Sequence, residues 1–287
     1  MSEKDEKKEK EKNSNLLVRL LSSAVIAPVV IYLVYWGSGW SVALLFGLAA
    51  AICALEYYEI TMKGWSPAAW VGVVVTGAFP FILLQGPEGG YTAFFVLVAY
   101  GMFAWTYHLI RGPLKEGPQM VAYLITGMFY AASGPTALFA LWLLDPPNAG
   151  HWAMVVFYLT FLNDTFAYFT GRAFGKHKLY PEVSPNKTWE GFFGGMVGSV
   201  AGLFVFRWLG FHQLQVVDVL LLSFAGGIVG PLGDLSESML KRAYGVKDSG
   251  KIVPGHGGIL DRIDAIIFNA PLTYLYVAFL RPLLVGA

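Results

Sequence analysis

The sequence predicts an all-α polytopic integral membrane protein of about nine transmembrane helices, with cytoplasmic polar loops forming an active site. Three observations carry this. Of the 287 residues, 56% are hydrophobic and only 14% charged, where a soluble domain has about a quarter of its residues charged. The apolar residues fall into about nine runs, each close to the roughly 20 residues a helix needs to cross a bilayer core. Lysine and arginine collect in alternate breaks between those runs, as they do on the cytoplasmic side of membrane proteins.

Taken in order, the chain opens with MSEKDEKKEKEKNSN, which lacks the apolar core and small-residue cleavage site of a signal peptide and reads as a disordered, solvated tail. The first span covers Leu16 to Trp36 and turns at Gly37-Ser38-Gly39. The second, Trp40 to Met62, contains Glu56 and Glu59. The third runs from Ala68 to Leu84 and breaks at GPEGG; the fourth, Tyr91 to Ile110, ends before Arg111-Gly112-Pro113. The fifth, Met120 to Leu144, has a candidate kink at Gly134-Pro135. The sixth, Trp152 to Phe169, carries Asn163 and Asp164 and leads into a polar loop. The seventh, Phe192 to Leu209, has Gly194, Gly198 and Gly202 at four-residue spacing, a stripe that lets helices pack closely in lipid. The eighth, Val216 to Leu232, precedes a charged stretch, and the ninth covers Ile263 to Leu284. Residues 1–15 are thus a tail, 16–150 an N-terminal set of about five spans, and 151–287 a C-terminal catalytic membrane region of about four.

The loops after spans two, four, six and eight carry lysine and arginine, and those after spans one, three, five and seven carry none. This places the N-terminus and both long polar loops in the cytoplasm, for a multi-pass protein of the cell inner (plasma) membrane. Arg207 and Arg281 fall elsewhere and can snorkel to an interface. Cys53 stands alone and cannot form an intrachain disulfide. Tryptophans near span ends read as interfacial belts.

Scarce charge is concentrated between Gly233 and Asp264. On a helix, Asp234, Ser238 and Lys241 share one face, as do Asp261 and Asp264. Between them lies a basic, glycine-rich loop whose backbone can approach a ligand closely. Two carboxylate-bearing helix ends joined by such a loop suit a metal and a phosphate chain. Asp164 at membrane depth is costly unless paired or wet; it either bonds a neighbouring helix through Asn163 or an arginine, or lines one watery pocket with Arg172, Lys176 and the charged stretch. Glu56 and Glu59 read as partners of a buried arginine or as site residues. SPNKTWEG, Ser184 to Gly191, reads as the start of a helix, where anions bind, or as ordinary capping. His177 and His212 read as solvated loop residues, and His256 sits among Gly and Pro. No His/Cys cluster suggests zinc. GVKDSGK, Gly245 to Lys251, mimics a P-loop, but Ile252 replaces the magnesium-holding Ser/Thr and no strand precedes it, which rejects that reading.

The string SMLKRAYGVKDSGKIVPGHGGILDRID, Ser238 to Asp264, resembles the signature of the phosphatidate cytidylyltransferases, or CDP-diacylglycerol synthases. Val253, where that family usually has a larger side chain, is the departure. DTFAYFTGRAFGK from Asp164 and SPNKTWEG look like two further family segments, so the resemblance spans the C-terminal half. It implies a reaction of CTP with phosphatidate giving CDP-diacylglycerol and pyrophosphate, with magnesium, potassium beside it, and a homodimer. On that resemblance Asp234, Asp261 and Asp264 are the expected metal ligands, with Asp164 near them. Lys241, Arg242, Lys247 and Arg262 are expected to hold phosphates, with Asp248 in the catalytic set. His256 and the Ser184, Asn186, Lys187 and Thr188 segment are expected at the nucleotide or leaving pyrophosphate, with Arg172, Lys176 and Ser238 also binding substrate.

Three rival classes remain at this stage. A CTP-dependent lipid kinase would need a general base for its alcohol. A transporter would place charges in broken helices near the midplane, whereas these cluster in a loop. A scaffold would have no need of so many carboxylates.

Overall fold

The computed structural model describes residues 24–62, 64–145, 148–252 and 257–285, with Ala149 described by its backbone alone. The predicted tail at 1–15, the start of the first span, and His256 lie outside them. The described chain forms helices α1 (Ala24–Trp36), α2 (Gly39–Thr61), α3 (Pro67–Leu83), α4 (Pro87–Arg111), α5 (Gly117–Leu144) and α6 (Ala149–Phe174). A hairpin of β1 (Lys178–Tyr180) and β2 (Ser184–Thr188) follows, then α7 (Trp189–Trp208), α8 (Val216–Ala243) and α9 (Leu260–Leu275). Through the π-helical turn Tyr276–Leu280, α9 continues into α10 (Arg281–Val285).

Every predicted apolar run that is described is helical. Among the described residues, six helices are long and apolar enough to cross a membrane: α2, α4, α5, α7, α8 and the continuous Leu260–Val285. The protein is therefore multi-pass. Against the expected nine, α1 and α3 are apolar but shorter, and α6 carries Asn163, Asp164 and Arg172 in its second half. Side chains such as Leu109 and Val74 point outward, 80% and 69% exposed, as lipid-facing residues do in a protein with no aqueous penalty to avoid.

Local signals set the helix starts. Ser38 and Ser66 accept from the amides of Ser41 and Ala69, and Pro67 occupies the first turn of α3, where its missing N–H is not needed. Gly86, at φ 76°, makes the turn into α4. α5 runs unbroken through Pro135. Two apolar clusters form the interior, one around Trp152, Phe139 and Leu159 and the other around Tyr58, Leu124 and Met128; α2, α5 and α9 feed both.

The glycine stripe of α7 packs on α6 as its spacing predicts. A methyl on Gly198 would sit 2.5 Å from Phe166 Cβ, Gly202 faces Leu162, and Gly194 faces Thr170. That close approach lets Asn163 Nδ2 donate to Ser199 Oγ at 3.0 Å. Asn163 thus joins two helices, which leaves Asp164, one position on, to face elsewhere.

The hairpin is a correction to the sequence reading. Ser184–Thr188 does not open a helix; it is a strand paired antiparallel to β1, with Lys178 opposite Thr188 and Tyr180 opposite Ser184. The helix starts only at Trp189, capped by Thr188 Oγ1, which accepts from Gly191 N at 3.1 Å. A second correction concerns α8, which continues to Ala243 through the charged stretch that was expected to follow it.

Arg281 is held at the start of α8. Its guanidinium donates to the fully buried Asp218 at 3.3 Å and to Gln213 O at 3.1 Å, and lies 5.0 Å over the Trp152 ring. Tyr276 donates to the other Asp218 oxygen at 2.6 Å. Arg207 donates to the loop after α7, to His212 O at 3.1 Å and Leu214 O at 2.6 Å.

Candidate active site

α1, α2, α5, α6, the hairpin, α8 and α9 enclose a cavity of about 1370 Å³. It has two kinds of wall. One is apolar, with Ile26 and Val30 of α1, Leu45 and Ile52 of α2, and Phe157 and Phe161 of α6. The other is charged, with Asp164, Arg172, Lys187, Asp234, Asp261, Arg262 and Asp264. An elongated amphipathic molecule with an anionic head matches this division.

Each charged residue is brought there by a local feature. Asp164 stands one residue past the Asn163 bond to α7, exposed to the cavity. Arg172, two turns on, donates to Tyr168 Oη at 3.1 Å. Lys187 rides on β2, and its ammonium meets Asp234 Oδ2 at 2.6 Å. The base of that hairpin is pinned by Glu190, which accepts from the amides of Lys176 and His177 and contacts His177 Nδ1 at 2.6 Å. His177, expected to be solvated only, is therefore exposed yet partnered. Asp234 is steadied on α8 by Ser238, whose hydroxyl donates to it at 3.4 Å, as the shared helical face predicts. Asp264 Oδ1 accepts from Ala265 N at 2.7 Å.

Asp261 has a different environment. Its Oδ1 accepts from Lys241 Nζ at 2.6 Å, and its Oδ2 accepts from Ser249 N at 2.9 Å and Gly258 N at 3.0 Å. Lys241 also pairs with the fully buried Glu237. Lys241 is itself buried and does not line the cavity. These bonds tie α8, the loop and α9 into one unit.

The structure thus brings Asp164, Arg172, Asn186, Lys187, Thr188, Asp234, Asp261, Arg262 and Asp264 to one cavity. It does not bring Lys176, Ser184, Ser238, Lys241, Arg242, Lys247 or Asp248 to its wall. Arg242, exposed in the last turn of α8, donates to Val246 O at 3.2 Å, and Lys247 and Asp248 are exposed beyond the end of that helix. Two residues that local pattern reading leaves without a role belong to the frame: Glu237, the partner of Lys241, and Ser249, which is buried. Among the described residues Glu56 meets no arginine. It accepts from Ser249 Oγ and from the Ile259 and Leu260 amides.

The donor set fits a divalent cation. Asp164, Asp234 and Asp264 offer hard oxygen ligands on one wall, and among the described residues neither Asp164 nor Asp264 is in an ion pair. The described residues hold no preassembled group of three His, Cys, Asp or Glu ligands. Magnesium commonly takes one or two carboxylates and completes its shell with water and substrate phosphate.

A profile described as the cytidylyltransferase family matches residues 17–280. The chain is also similar to individual proteins named phosphatidate cytidylyltransferase. The relative from Brucella abortus is 35% identical over 272 residues, 92% of this chain and 94% of the relative. That from Staphylococcus epidermidis is 33% identical over 260 residues, 89% and 96% of the two chains. One from Staphylococcus haemolyticus is 49% identical over a shorter stretch of 122 residues, 42% of this chain and 47% of the relative.

Proposed function

The chain belongs to the cytidylyltransferase family, and on that premise we propose that it transfers the cytidylyl group of CTP to phosphatidate, by in-line attack of the lipid phosphate on the CTP α-phosphorus. It is a nucleotidyltransferase of CDP-diacylglycerol synthesis, embedded in a membrane. The observation that carries the detailed reading is the two-walled cavity, apolar along α1, α2 and α6 and charged where α6, the hairpin, α8 and α9 meet.

The phosphate monoester of the lipid carries about −1.5 to −2 charge near neutrality. It is already a nucleophile, so the site needs no activating base. A lipid phosphate oxygen forms a bond to the α-phosphorus while the bond to the bridging oxygen of the β-phosphate breaks, and pyrophosphate leaves with the electron pair. The obstacle is repulsion between two anions. Lys187, Arg172 and Arg262 offset it by holding phosphate oxygens and aligning the two groups. Asp234, Asp264 and Asp164 would hold magnesium, which supplies charge neutralisation of the phosphates when bound; potassium is the companion ion in the same reading. Ser238 orients Asp234. Asp261, with Lys241 and Glu237, keeps α9 in place beneath the cavity. Asn186 and Thr188 face the same space and suit the nucleotide.

The reading extends to a homodimer, as the family resemblance implies, in the inner (plasma) membrane, with the N-terminus and the charged wall cytoplasmic, an orientation supported by the alternation of lysine and arginine between spans. It also keeps 151–287 as the catalytic region, with 16–150 as supporting spans. The test is pyrophosphate release by purified protein given CTP and magnesium. Release must require phosphatidate and vanish when diacylglycerol, which lacks the phosphate, replaces it. Equal release with diacylglycerol would overturn the assignment of the nucleophile.

A further inference from the structure

We infer that Glu56 of α2 is a positioning residue for this reaction: it grips the N-terminus of α9 and the loop before it, and through them sets where Asp261 and Asp264 stand. The inference rests on the proposed function for what is positioned, and on geometry alone for the grip.

Glu56 is fully buried. Its Oε2 accepts from Ser249 Oγ at 2.9 Å and Leu260 N at 2.8 Å, and its Oε1 accepts from Ile259 N at 3.0 Å. These partners lie 193 to 204 residues away in sequence. The first amides of a helix lack intrahelical acceptors, and Ile259, at the cap position of α9, provides no side-chain bond. The Glu56 carboxylate fills that role from another helix, and its charge suits the positive end of the α9 dipole.

The loop is shaped to admit it. A Cβ on Gly250 would lie 2.5 Å from Glu56 Oε1, and one on Gly258 would collide with both Oε2 and Ser249 Oγ. Ser249 then passes the grip on. Its hydroxyl accepts from Asp261 N at 3.2 Å and its amide donates to Asp261 Oδ2 at 2.9 Å. Gly258 N donates to the same oxygen at 3.0 Å. Glu56 therefore holds the cradle of Asp261 on both sides, and Asp264 follows one turn along the same helix. Among the described residues every donor to Glu56 is a neutral group, so the residue acts by placement.

The experiment compares Glu56→Gln with wild type in kinetics with CTP, phosphatidate and magnesium, and in amide hydrogen exchange. The glutamine NH2 cannot accept, so it must abandon either Ile259 N or the Leu260 and Ser249 pair. The expected result is a kcat lowered about 10²-fold, the scale of a 1 Å misplacement at a reacting centre, with KM for phosphatidate within about twofold because the apolar wall is intact. Exchange should rise across residues 249–264 and stay unchanged in α3, α4 and α7. Glu59→Gln, on the exposed side of the same helix, should match wild type. Ser249→Ala, which removes one bond of three, serves if Glu56→Gln fails to fold and should show a smaller loss in the same segment. Wild-type kcat with unchanged exchange, or an even rise in exchange over all helices, would each overturn the inference. A wild-type protein that makes no CDP-diacylglycerol would refute the proposed function, while exchange at Ile259 and Leu260 would still decide the grip.

Discussion

Replacing Lys187 by Met keeps the length of the side chain and removes its charge. The ammonium lies 2.6 Å from Asp234 Oδ2, with the two side chains 26% and 28% exposed. A pair that open to water contributes only about 0.2 to 1 kcal/mol to stability, so the melting midpoint in detergent should move by no more than about 4 °C. Catalysis should respond far more strongly. If Lys187 holds a phosphate oxygen as the α-phosphorus passes through its transition state, its loss removes one preorganised charged donor. Such a donor is worth about 2.7 to 4 kcal/mol, or about 10² to 10³ in kcat. Lys187→Arg, which keeps the charge but changes its shape, should recover part of the rate. The assay is initial-rate formation of CDP-diacylglycerol in mixed micelles, with melting followed in parallel. A Lys187→Met enzyme within about threefold of wild type would refute the phosphate role of Lys187, because the ion pair alone cannot supply a rate effect of the size expected from a lost donor.

Three further outcomes follow from the same geometry. Asp261→Asn leaves Lys241 with Glu237 as its remaining carboxylate and should abolish turnover while membrane insertion is retained; full activity would remove Asp261 from the site, and the assay is turnover beside size-exclusion behaviour in detergent. Arg111→Ala, at the exposed end of α4, should leave kcat and KM within about twofold, and a large loss would mean that the site has been drawn too small. Arg281→Ala strips the fully buried Asp218 of its cation and should destabilise the fold by about 3 to 5 kcal/mol with the KM of the surviving enzyme unchanged, as read by thermal inactivation; wild-type thermal stability would show that Tyr276 and the capping box of α8 suffice for Asp218.

The sequence reveals most where the signal is local. Apolar runs of span length locate the helices, and the four-residue glycine spacing of α7 correctly marks its face against α6. The spacing of Asp234, Ser238 and Lys241 gives one face of α8 because helical period alone decides it. Hydropathy fails at the end of α8: it stops at Leu232, where charge begins, whereas the helix continues because its backbone bonds do not depend on apolar side chains. The β1–β2 hairpin was hidden for another reason. Thr188 does cap α7, so the helix-start signal was real, but Ser184 and Thr188 pair with a strand that no local periodicity marks. Glu56, Glu237 and Asp218 are carboxylates whose partners are distant in sequence or part of a three-way contact. Nothing in an apolar run tells which distant amide or arginine will meet Glu56 or Asp218, and the four-residue step from Glu237 to Lys241 does not show that Asp261 joins that pair. The same limit applies to Lys241 and Asp261, whose charges suggested phosphate and metal binding and whose geometry joins them to each other.

The central claim is that the cytidylyl group, and not the terminal phosphoryl group, moves to the lipid. The direct test is to give the purified protein phosphatidate, magnesium and CTP labelled at either the α- or the γ-phosphorus, and to extract the lipid. The account predicts lipid label from α-labelled CTP only, with the γ-label leaving in pyrophosphate. Lipid label from γ-labelled CTP would contradict it and make the protein a lipid kinase.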